Sequence, residues 1–124
     1  MLAIATAAVF VFLAGLHFYW AAFGTGKNSA AIPEVDGVPA FRPSKAATAA
    51  VGLALLSVVA IVLLHVPLLL AGAALVLIAR AVGDFRLVGF FKRVKGSKFA
   101  RMDTLVYSPL CLGLGIALGL LAAS

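Results

Sequence analysis

Charge is what this chain has least of. Charged residues make up 11% of its 124 positions, and four of them are acidic, against the ~25% that a soluble domain uses to clothe its surface. Hydrophobic residues reach 65% and the mean hydropathy is +1.19, which leaves no candidate helix a polar face. A water-soluble fold is excluded, and lipid is the solvent of this chain. Cysteine is nearly absent too. Cys111 stands alone, so no intrachain disulfide and no thiolate cluster for zinc can form. Its place in an apolar run makes it a small packed side chain, because a thiolate there would be badly desolvated. The common enzyme signatures are missing: no glycine-rich phosphate loop after a strand, no HExxH, no CxxC, no GxSxG. The two histidines, His17 and His65, fall at opposite membrane faces and cannot share a metal or bracket a haem within one chain. No cofactor is expected.

The charge that is present has one dominant sign. The net charge is +6 and the pI about 10.1, a balance that elsewhere suggests nucleic acid. Here the basic residues flank apolar runs instead of lining a groove between aromatics. Nucleic acid is therefore not an expected partner, and the anionic headgroups of membrane lipids are the natural counter-charge.

A hydrocarbon core about 30 Å thick takes roughly 20 apolar residues per helix. That rule cuts the sequence into four spans, at about 1–23, 45–64, 67–87 and 103–122. The expected fold is all-α: one integral membrane domain over 1–124, an antiparallel bundle of four transmembrane helices. Ser44 is placed to cap the exposed amides of the second span, and Pro67 suits the first turn of the third, where its missing N–H costs nothing. Only His65 and Val66 separate these two spans, which makes them a helical hairpin. The first span reads as a retained helix and not a cleaved secretory signal, since it has no basic leader and carries His17, Tyr19 and Trp20.

The two longer connections differ in kind. Residues 24–44 hold Pro33, Asp36-Gly37, Pro39 and Pro43, which disfavour regular structure and predict an irregular lid. Residues 88–102 interleave Phe90, Phe91, Val94 and Phe99 with Lys92, Arg93, Lys95, Lys98 and Arg101. Such a mixture suits the membrane interface, rings in the acyl boundary and cations on phosphates. All ten Lys and Arg residues lie between Lys27 and Lys45 or between Arg80 and Arg101, and with four spans both stretches share one side. The positive-inside rule puts that side in the cytoplasm of a bacterial inner membrane, with both termini and the His65 link on the other. So lopsided a bias argues against dual topology.

Within the third span, Arg80 and Asp84 stand four apart and share a helix face. Charges inside a bilayer are costly unless paired or hydrated. The pair is therefore either self-neutralising, with Arg80 snorkelling to set depth, or half of a ligand site. His17 and Trp20 share a face near the cytoplasmic end of the first span, and Asp103 and Tyr107 share one at the start of the fourth. Each has a plain structural alternative. His17 can bond a neighbouring helix or be wetted at the interface; Tyr19, Trp20 and Tyr107 suit an interfacial belt; Asp103 suits a helix N-cap. In the fourth span Asp103, Tyr107, Cys111, Gly115 and Gly119 recur every four residues and turn from polar to very small. Gly115 and Gly119 read as a packing face, within the bundle or between protomers.

These residues in combination resemble the domain-of-unknown-function 3995 family. The resemblance is carried by His17-Phe-Tyr-Trp20, by Ala31-Ile-Pro-Glu-Val-Asp-Gly-Val-Pro-Ala-Phe-Arg-Pro43, by Arg80 to Asp84, by Gly89-Phe-Phe-Lys92, and by Phe99-Ala-Arg-Met-Asp103 running into Tyr107-Ser-Pro-Leu-Cys111. It covers nearly the whole chain. It implies a bacterial protein of about this length with four helices, and no activity to carry over. The positions matching the pattern are His17, Tyr19, Trp20, Pro33, Arg80, Asp84, Lys92, Asp103, Tyr107 and Pro109.

The leading functional expectation is a module that binds or transports an amphipathic or anionic ligand in a cytosol-facing pocket. Its ligand-binding set is His17, Tyr19, Trp20, Arg80, Asp84, Lys92, Asp103 and Tyr107. Arg80 and Lys92 would meet the anionic group, and Trp20, Phe90 and Phe91 the apolar body. A membrane-embedded enzyme on a lipid or isoprenoid substrate stays open, with His17 or Asp103 as general base and Tyr107 as acid. So does an accessory subunit of a larger membrane complex, or a homo-oligomer, without chemistry of its own. Small multidrug transporters and fluoride channels match in length and helix count. The first need an acidic residue in the first span, where this chain has none, and the second are known for dual topology.

Overall fold

Residues 1–24, 31–41 and 43–124 are described by the structure, a computed structural model. Part of the expected lid, including the basic positions Lys27 and Arg42, lies outside the described residues. Helix α1 runs Leu2–Phe23, α2 Lys45–Leu64 and α3 Pro67–Val82. The last helix is continuous over Lys98–Ala123: α4 (Lys98–Met102), a π-helical turn (Asp103–Tyr107) and α5 (Ser108–Ala123). Among the described residues, α1, α2 and Lys98–Ala123 are long and apolar enough to cross a membrane, and α3 is shorter.

The helix ends follow local chemistry. Ser44 caps α2, its Oγ accepting from the Ala47 amide at 3.0 Å, while Thr48 Oγ1 donates back to the Ser44 carbonyl at 2.9 Å. At the other end of α2, His65 takes the left-handed conformation with φ 52°. The Val66 amide then reaches the Ile61 carbonyl at 3.3 Å, the six-to-one bond that closes a Schellman turn. Pro67 opens α3 directly afterwards, so the link between the two helices is the two residues that the sequence predicts. Ser57, in the middle of α2, satisfies its hydroxyl on the Leu53 carbonyl at 2.9 Å.

Two helix boundaries and one connection differ from expectation. Helix α3 stops at Val82, not near 87, because Gly83 turns left-handed with φ 92° and its amide closes on the Ala79 carbonyl at 2.8 Å. The fourth helix starts at Lys98, one turn and more before 103, capped by Ser97, whose Oγ accepts from the Ala100 amide at 3.0 Å. The proline-rich connection holds a short antiparallel hairpin, β1 (Glu34–Val35) with β2 (Val38–Pro39). Asp36 and Gly37 at its tip have φ 54° and 78°, the paired positive values that a two-residue hairpin turn requires.

By its internal contacts the chain divides into two compact units. The first comprises Met1–Gly26, Pro43–Ala74 and Ala117–Ser124. In it α1 packs on α2 through a stripe of Thr6, Ala7, Phe10 and Ala14. At Gly52 the two lie close: a Cβ there would lie 3.0 Å from the Phe18 ring. The second unit comprises Lys27–Arg42 and Leu75–Ile116, and its core mixes Ala81, Phe99, Ala100 and Leu114 with buried Lys92, Asp103 and Ser108. Many large apolar side chains point outward, Leu64, Leu68, Leu75 and Leu105 among them. Gly115 is buried, but a Cβ at Gly119 would meet nothing, so among the described residues no helix comes close at Gly119.

Candidate functional site

Asp103 is the centre of the second unit. Its side chain is fully buried and three donors converge on it. Arg80 Nη2 donates to Oδ1 at 2.9 Å, the Gly89 amide donates to Oδ2 at 2.7 Å, and Lys92 Nζ lies 3.1 Å from Oδ2. Lys92 is itself buried. Its ammonium also donates to the Gly89 carbonyl at 3.0 Å and to Thr104 Oγ1. An ammonium has three hydrogens, so Lys92 has none left for a ligand. Two cations share one carboxylate, and the triad keeps an excess positive charge.

This geometry replaces the expected Arg80–Asp84 pair. Because α3 ends at Val82, Asp84 is not on its face, and Arg80 turns to Asp103 in the last helix. Asp84 instead builds the loop that follows. Its Oδ1 accepts from the amides of Arg86 at 2.9 Å, Leu87 at 2.8 Å and Val88 at 3.2 Å. Those amide bonds, Arg86's first, hold its pKa below the usual carboxylate range. The neck of this loop is two glycines. A Cβ on Gly83 would sit 1.9 Å from the Val88 carbonyl oxygen and one on Gly89, with φ 89°, 2.3 Å from that of Val82. Only glycine allows so tight a crossing, and the crossing aims the Gly89 amide at Asp103.

Asp103 is not an N-cap; Ser97 holds that role, and Asp103 opens the π turn. The Ser108 amide bonds the Asp103 carbonyl, five residues back. Pro109 explains the widened turn: it offers no amide hydrogen, and its ring would collide with the carbonyl four residues earlier in a regular helix. Such bulges concentrate at functional positions. Within the same unit Tyr107 packs its ring on Phe99 at 5.6 Å. Among the described residues, Arg80 Nη1 in the triad and Ser108 Oγ at the end of the π turn are buried without a hydrogen-bond partner.

Next to the triad a cleft of about 230 Å³ is lined by Lys92, Lys95, Gly96, Ser97, Ala100, Arg101 and Thr104. Lys95 and Arg101 are exposed. Among the described residues neither has an ion-pair partner, since the ion pairs found are Arg80–Asp103 and Lys92–Asp103. Among the described residues, no three His, Cys, Asp or Glu side chains come together to hold a metal.

Of the eight expected ligand residues, the structure brings Arg80, Lys92 and Asp103 together. Asp84 serves the adjoining loop, and Tyr107 stands one turn along from Asp103. His17, Tyr19 and Trp20 belong to the first unit. There His17 Nδ1 donates to the Leu13 carbonyl at 2.7 Å and stands edge-on to Trp20 with ring centroids 5.3 Å apart. Tyr19 is exposed and packs on Phe23 at 5.1 Å. Gly89, Lys95, Ser97, Arg101 and Thr104 stand around the triad and cleft but are not among the eight residues expected from the sequence. The signal for Ser97 was present, because Gly96-Ser97 directly before Lys98-Phe99-Ala100 is a helix start.

A family model described as a protein of unknown function (DUF3995) matches residues 10–118. No curated protein and no solved structure matches the chain.

Proposed function

The chain belongs to the DUF3995 family of proteins of unknown function, and we propose from its own residues that it binds an anionic amphiphile in the basic cleft of its second unit. The reading places it as a multi-pass protein of a bacterial inner membrane, with the basic segments cytoplasmic and both termini outside. The observation that carries it is the charge balance at the cleft. Lys92, Lys95 and Arg101 line it, while Asp103 already neutralises Arg80 at 2.9 Å. Positive charge at a bilayer surface with no carboxylate of its own attracts an anionic headgroup. Phe85, Phe90 and Phe91 are exposed on the neighbouring loop and suit the acyl chains of such a ligand.

The roles of the cations change from the initial expectation. Arg80 and Lys92 hold Asp103 and supply field, and the groups free to touch a headgroup are Lys95 and Arg101. An enzyme with Asp103 as general base is less well supported, because both its oxygens already accept from donors. Photo-crosslinking tests the proposal. A photoactivatable anionic lipid added to membranes holding the full chain should label peptides within 92–104 more strongly than a zwitterionic analogue. Equal labelling by the two lipids would count against it.

A further inference from the structure

We propose that the cleft selects a lipid whose headgroup ends in a phosphate monoester. The inference rests on the reading that the cleft takes an anionic headgroup, and it names which one. Four side chains of the cleft can donate to a ligand: Lys95, Arg101, Ser97 and Thr104. Arg101 offers a planar fork that matches two phosphate oxygens, and Lys95 an ammonium. The Ser97 hydroxyl accepts from the Ala100 amide at 3.0 Å and that of Thr104 accepts from Lys92, so each retains its own hydrogen to donate.

A phosphate diester presents one charge and two free oxygens; a monoester presents three oxygens and, above its second ionisation near pH ~6, close to two charges. Three lining cations and two hydroxyl donors fit the second better. Lys92 contributes charge without a contact, because its hydrogens are spent on Gly89, Thr104 and Asp103. The charged groups facing the cleft are Lys92, Lys95 and Arg101, with Arg80 and Asp103 behind them, and the lining has no histidine. A pH dependence of binding between 5 and 8 therefore reports the ligand, since histidine is the side chain that ordinarily titrates there.

The test reconstitutes the full chain in phosphatidylcholine nanodiscs and measures the association of spin-labelled phosphatidic acid, phosphatidylglycerol and phosphatidylcholine by electron spin resonance. At pH 8 phosphatidic acid should associate more strongly than phosphatidylglycerol by about fivefold, the worth of one further charge contact at a membrane surface. At pH 5 its advantage should shrink toward parity, and the K95Q/R101Q protein should lose the preference. The pH series uses the unaltered protein, so the result does not depend on the variant folding. Equal association of the two anionic lipids at pH 8, both above phosphatidylcholine, would overturn monoester selection and leave the anionic-lipid reading intact. Neither exceeding phosphatidylcholine would overturn both. Displacement of bound phosphatidic acid by millimolar inorganic phosphate would overturn the lipid assignment and mark the cleft as a site for soluble phosphate.

Discussion

Asp103 holds the buried Lys92 and the partly exposed Arg80, and replacing it by asparagine leaves both without that counter-charge. Breaking a buried pair in this way costs about 3–5 kcal/mol, so D103N should melt far below the wild type in detergent. Lys92→Met should cost less, about 1–3 kcal/mol, because Asp103 keeps Arg80 and the Gly89 amide. The reverse ranking would contradict the triad. For Asp84 the sign of the pH dependence follows from its lowered pKa. The stabilisation of its loop is present above the unfolded carboxylate's value near ~4 and is lost as pH falls through the lower folded value. Hydrogen exchange should report lost protection at the Arg86, Leu87 and Val88 amides on acidification, and D84A should lack that protection at any pH. At this scale the sequence identified Arg80, Lys92, Asp84 and Asp103 but mispaired them. The four-residue spacing of Arg80 and Asp84 is meaningful only inside a helix, and Gly83 ends the helix between them.

Gly83 and Gly89 pinch the loop after α3 and thereby point an amide at Asp103. Gly89→Ala meets both a left-handed backbone and the Val82 carbonyl, so it should lose more than about 2 kcal/mol. Gly96→Ala is the control. Gly96 has φ 100° but open space around its Cβ position, and backbone strain alone costs about 1–2 kcal/mol. Similar melting temperatures for the two variants would show that the crossing is not tight. Helix existence was legible in the long apolar runs, and the caps at Ser44 and Pro67 in single residues. The π turn was less so. Pro109 warned of an interruption in the fourth span, but a proline can bend a helix, end it or widen a turn, and tertiary bonds to Asp103 decide which. The hairpin at Asp36-Gly37 was legible as a turn, yet strands of two residues leave no period to read.

Among the described residues three helices are long and apolar enough to cross a membrane, and the proposed orientation, with both termini outside, takes the shorter α3 as a fourth crossing. The proposed orientation predicts that, in a Cys111→Ala background, Ser124→Cys reacts with an impermeant maleimide added to intact cells while Arg93→Cys reacts only after permeabilisation. Labelling of Arg93→Cys in intact cells would invert the topology. What hydropathy showed at this scale was where the apolar runs lie. It could not show that Arg80 and Lys92 converge on Asp103, because that depends on which helix Arg80 faces. The most direct test of the account is native mass spectrometry of the gently extracted protein. The wild type and an Arg93→Gln control should carry bound anionic lipid, and K95Q/R101Q should carry little or none; the same lipids in the same amounts on all three would contradict it.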